Sequence, residues 1–129
     1  MYVARLLRLD VSEPDRLIGE LRFSQWMALT LAATGGTWLG IATVHTPAGF
    51  GAVEVTLAVV TMVLAGWTMQ RDTRQALLWL CGAFLIHALI DVSHRPGWLP
   101  DGVAPRWFTV GGAAFDVYVA ALCYWIQRR

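Results

Sequence analysis

Four stretches of about 20 residues, at roughly 24–44, 50–69, 75–93 and 107–126, are apolar and almost free of charge. A helix of that length crosses a hydrocarbon core of roughly 30 Å. Inside lipid a segment must satisfy its backbone hydrogen bonds internally, so runs of this kind become helices. A soluble helical bundle needs a charged stripe along each helix, and these segments have none. The mean hydropathy of +0.51 agrees. The expected fold class is therefore an all-α integral membrane protein, a four-transmembrane-helix bundle occupying residues 24–129.

Residues 1–23 read as a separate N-terminal cytoplasmic or interfacial segment. Tyr2–Leu9 has a mixed apolar and basic face that suits a short helix lying on the membrane surface. Ser12-Glu13-Pro14-Asp15 reads as a helix start, with Ser12 as the cap, Pro14 in the first turn and Asp15 near the positive end of the dipole. This helix runs on into the first span, which carries Gly36 and Gly40 at a spacing that lets helices approach closely. His45-Thr46-Pro47-Ala48-Gly49 breaks that span, residues 70–74 form a tight polar loop, and the 95–106 connection holds Pro96, Pro100 and Pro105. Charged sequence after Met1 argues against a cleavable signal peptide.

The chain has no Lys, and all ten Arg lie outside the apolar runs. Arg5, Arg8, Arg16, Arg22, Arg71, Arg74, Arg128 and Arg129 share one side of a four-span protein, and Arg95 and Arg106 the other. The positive-inside rule then predicts a multi-pass inner (plasma) membrane protein of bacterial type with both termini cytoplasmic. Trp26, Trp67, Trp98, Trp107 and Trp125 fall near span ends, as an aromatic belt does, while Trp38 and Trp79 lie deeper. A net charge of +1 gives no basic surface for nucleic acid. Cys81 and Cys123 are not in a CxxC pattern and read as small buried hydrophobes.

Three acids, Glu54, Asp91 and Asp116, lie inside the spans. His87, Asp91 and His94, spaced by four and three, share one face of the third span. With this orientation His94 is at the outer surface, Asp91 about 5 Å deeper and His87 about 10 Å deeper. Glu54 falls about 6 Å and Asp116 about 13 Å below the same surface. His45, at the outer end of the first span, and His94 read as solvated. The inner half holds no ionisable side chain beyond the two Cys and Tyr124. Ionisable groups inside a membrane are costly and mark functional sites. The polar set His87, Asp91, Asp116 and Glu54 is thus expected to form a pocket open to the outside.

Three chemistries fit such a pocket. One is a divalent transition metal held by His87, Asp91 and His94, completed by Glu54 or Asp116. Another is a cavity for a small ligand or for protons, with a His beside a carboxylate exchanging the proton. The third is structural: His87 and Asp91 satisfy each other, Asp116 meets Trp79 or His87 across the bundle, and polar contacts hold the helices together. Haem ligation by His45 with His94 or His87 is poorly placed, because His45 sits at the very end of its span. No motif supports a Ser or Cys nucleophile.

Phe84-Leu-Ile-His87-Ala-Leu-Ile-Asp91 resembles the His-x-x-x-acid span of the EXPERA family, which includes emopamil-binding sterol isomerases and sigma-2-type receptors. The resemblance implies a pocket for an amphipathic cationic or sterol-like ligand, lined by His87, Asp91 and, from the next span, Asp116. The family carries Glu where Asp91 stands, and the similarity covers only the last third of the chain. The leading expectation is a polytopic protein with a His/carboxylate pocket that handles a small ligand, a metal ion or protons. The alternatives are an accessory or assembly subunit of a larger membrane complex, partnered by another membrane protein or its own copies, and an EXPERA-like intramembrane isomerase or lipid-binding protein.

Overall fold

The computed structural model describes residues 2–6, 9–10, 13–45, 51–94, 98–99 and 104–129. Five helices follow in order: α1 (Tyr2–Leu6), α2 (Pro14–His45), α3 (Gly51–Thr68), α4 (Thr73–Ser93) and α5 (Arg106–Arg128). No strand occurs among the described residues. The four long helices are each long and apolar enough to cross a membrane. Their outward faces are apolar too: Val60, Val63, Ile86, Leu89, Val117 and Tyr118 are all exposed. Water would penalise such a surface and lipid does not.

Local chemistry sets the helix ends. Pro14 opens α2 with Asp15 in its first turn, as expected, while Ser12, the predicted cap, lies outside the described residues. α2 continues through residue 23 without a break for 32 residues. Asp72 caps α4, its carboxylate accepting from the Gln75 amide at 3.0 Å, and so ends the tight turn after α3. Pro105 precedes α5, where its missing N–H costs nothing.

α4 is the central helix. It packs extensively on α5 and also meets α2 and α3, while α2 packs mainly on α3 and touches α5 only sparsely. The main apolar core is built from Phe23, Leu31, Leu77, Leu80, Phe84, Val119 and Ile126. Leu6 of α1 joins it, so this helix docks on the bundle end through that residue. At the same end Arg16 and Glu20 form a buried pair at 2.9 Å, and Arg16 also donates to the Leu9 carbonyl, which ties the N-terminal segment to α2.

The helix contact of α2 falls one residue from where the glycine spacing placed it. A Cβ on Gly35 would come within 2.9 Å of the Ala58 carbonyl oxygen, so Gly35 is where α2 and α3 close up. Gly36 and Gly40 have no atoms within 4 Å of a Cβ and make no such contact in the bundle.

Candidate functional site

The polar residues lie beyond the main core, toward the end where α4 finishes and α5 begins. His87 is two turns from the end of α4 and Asp116 sits about 15 Å along α5 from its start. Both are buried, as is Asp91, at 4%, 1% and 1% exposure. His87 Nδ1 lies 2.7 Å from Asp116 Oδ2 and 3.8 Å from Asp91 Oδ1. The first contact is a hydrogen bond; the second is too long for one. One potential ligand atom from each of the three residues lies within 4.8 Å of the other two. A buried oxygen on each carboxylate, Asp91 Oδ1 and Asp116 Oδ1, has no hydrogen-bond partner among the described residues.

Gly112 makes this geometry possible. A Cβ there would overlap Asp91 Oδ2, so the missing side chain lets the Asp91 carboxylate lie against α5 beside Asp116. Trp38 of α2 closes the other side; it is buried while most of the other tryptophans are exposed. Neither residue stood out as part of a site in the sequence. The sequence signal that could have found Gly112 is a glycine one turn before an in-span acid, Asp116.

Two expectations need correction. His94 is not a solvated surface residue: it is 5% exposed. It also does not complete a trio with His87 and Asp91. Its Nδ1 donates to the Ile90 carbonyl at 2.9 Å, its Nε2 faces Glu54 Oε1 at 3.2 Å, and its ring stacks on Trp38 with centroids 4.9 Å apart. The helical face does align the three residues, but the His94 ring turns back along α4 toward α2 and α3, where an acceptor and an aromatic surface await it. Asp116 takes the third place beside His87 and Asp91. Glu54, grouped by depth with that set, pairs with His94 instead. Of the structural alternatives, Asp116 meets His87; Trp79 lies elsewhere, edge-on to Trp67. The side chain of His45 is outside the described residues.

Charge separates the two pairs. In His94–Glu54 the Nδ1 proton is committed to Ile90, so the Nε2···Oε1 contact holds one further proton on either partner. The pair is neutral whichever atom carries it. His87–Asp116 likewise shares one proton, but Asp91 adds a second carboxylate. With both carboxylates ionised the trio is negative whether His87 is neutral or charged. Uncompensated charge in an apolar interior is costly, so this centre calls for a cation or an added proton.

Two cavities adjoin the centre. A small gap of about 10 Å³ is bordered by Trp38, Glu54, Thr61 and His87, close to the least volume that holds one water. A much larger cleft, about 390 Å³, lies between α2 and α5. Thr30, Thr34 and Thr37 form one wall, Trp107, Phe108, Gly111 and Phe115 the other, and Asp116 borders it. The threonine hydroxyls donate to carbonyls of their own helix and keep lone pairs for a visitor. The cleft exists because α2 and α5 barely touch, and it opens sideways at the level of the spans.

The chain matches no protein-family model, and neither a curated protein nor a solved structure matches it significantly. The likeness of Phe84–Asp91 to an EXPERA span thus stands on the His-x-x-x-acid spacing and on Asp116 beside it.

Proposed function

We propose that this multi-pass membrane protein binds a small bilayer-soluble molecule in the α2/α5 cleft, with Asp116 and His87 recognising its polar end. The observation that carries this reading is a cleft of ligand size bordered by Asp116, whose buried Oδ1 has no hydrogen-bond partner among the described residues. A ligand donor reaching that oxygen satisfies a group that otherwise costs stability. The proton shared by His87 and Asp116 can pass to or from such a ligand, which is the geometric requirement for acid–base chemistry. The arginine distribution supports an inner-membrane location with cytoplasmic termini and, with that orientation, a cleft in the outer half of the bilayer.

Native mass spectrometry of the protein purified in mild detergent tests the reading. A retained small molecule is expected in the wild type. It should be lost in Gly111→Phe, which fills the cleft at a position where a Cβ meets nothing within 4 Å. A protein that carries no ligand, or one whose ligand survives Gly111→Phe, refutes it. The subunit alternative draws support from His94–Glu54, a satisfied contact joining α4 to α3. A co-purifying membrane protein in the same spectra would favour that alternative.

A further inference from the structure

We propose that His87, Asp91 and Asp116 form a three-donor site for one divalent first-row transition-metal ion. The proposal goes beyond the cleft reading and does not depend on what occupies the cleft.

The donor set is the first argument. An imidazole nitrogen with two carboxylates suits zinc, iron, manganese or cobalt, whereas calcium and magnesium select all-oxygen sites. Tetrahedral bonds of about 2.0–2.1 Å put ligand atoms roughly 3.3 Å apart. The observed separations from His87 Nδ1, 2.7 and 3.8 Å, bracket that value. One ligand atom from each of the three residues already lies within 4.8 Å of the other two.

Charge and hydrogen bonding supply the second argument. A divalent ion, two carboxylates and a neutral imidazole sum to zero, so the ion removes the charge that the apolar core otherwise encloses. The buried Asp91 Oδ1, on the side toward His87 Nδ1, has no partner among the described residues. The ion gives that oxygen one. Gly112 keeps Asp91 in place at the cost of a side chain on α5.

The site is also distinct from the neighbouring pair. Glu54 and His94 already neutralise each other, so they need no ion. Three protein donors are one short of a closed tetrahedral zinc site. Because Asp116 borders the α2/α5 cleft, a fourth ligand would come from there.

For Nδ1 to present its lone pair to the metal, the proton held between His87 Nδ1 and Asp116 moves to Nε2 if the ring starts neutral, or to the buffer if the ring starts charged. The test uses the full-length protein in detergent, stripped with chelator and titrated with Zn²⁺ in buffers of different ionisation enthalpy. One equivalent should bind. Asp91→Asn and Asp116→Asn should weaken binding by more than the roughly 100-fold that loss of an outer-shell partner costs. His94→Gln should retain full stoichiometry, which separates this trio from one built on His94. Co²⁺ loaded into the wild type alone should give visible d–d bands of a low-symmetry nitrogen/oxygen site, a readout that survives if a variant fails to fold. Absence of both zinc binding and cobalt bands in the wild type overturns the proposal. So does binding that is unaffected in a folded Asp91→Asn protein. Neither result touches the cleft reading, which is measured without added metal.

Discussion

Gly112 and His94 carry much of what is particular to this protein at the scale of single residues. Gly112 has no space for a methyl group, because the Asp91 carboxylate occupies it. Gly112→Ala should destabilise the fold by about 1–3 kcal/mol through overpacking, and should weaken zinc binding because Asp91 must move. Thermal unfolding in detergent measures the first effect and metal titration the second; a stable variant with unchanged zinc affinity would contradict the geometry. His94 shows the opposite dependence. Removing it leaves Glu54 buried and unpaired, so His94→Ala should cost about 3–5 kcal/mol. Replacing both, as Glu54→Met with His94→Leu, should recover most of that loss, since two apolar side chains need no partner. If the double variant is no more stable than the single one, the pair does something beyond satisfying itself.

The helices differ in what holds them. α4 and α5 share a polar centre, whereas α2 and α3 are joined through the close approach at Gly35. Gly35→Leu should separate α2 from α3 and lower the unfolding temperature markedly, while Gly36→Leu and Gly40→Leu should leave the isolated protein close to wild type. If Gly36→Leu proves as damaging as Gly35→Leu in the monomer, the α2/α3 register is wrong. A loss confined to an oligomer would instead assign the Gly36–Gly40 face to a partner. The start of α4 rests on Asp72, whose carboxylate holds the Gln75 amide. Asp72→Ala should cost about 1 kcal/mol, as cap losses do.

For the whole molecule, the polar centre sits between an apolar core at one end and the Trp38–Phe108 contact at the other. Among the described residues, the α2/α5 cleft reaches this centre at Asp116. A cation or a ligand would therefore reach the centre from the bilayer side or from the near membrane surface, not through the bundle. Orientation is testable at the same scale. With eight of the ten arginines on one side, a fluorescent reporter fused to the C-terminus should be bright and a phosphatase fusion inactive. The reverse pattern would invert the protein and put the polar centre in the cytoplasmic half.

Spans, their number and the continuity of α2 with its N-terminal segment were legible in the sequence, because length and apolarity alone decide whether a helix belongs in lipid. The same was true of His87 facing Asp91, since spacing along one helix is a local property. Helical spacing also grouped His94 with them, and this is where local reasoning stopped working. Which way an imidazole turns depends on what lies across from it, and Glu54 and Trp38 come from α3 and α2, far away in the chain. The same holds for the choice of His87 over Trp79 as the partner of Asp116, for Gly35 rather than Gly36 at the α2/α3 contact, and for the opening between α2 and α5. Each is set by how neighbouring helices pack and rotate. In lipid that choice is made by close packing and polar pairing rather than by hydrophobic burial, so the apolar pattern that reveals the spans says little about the faces they present to one another.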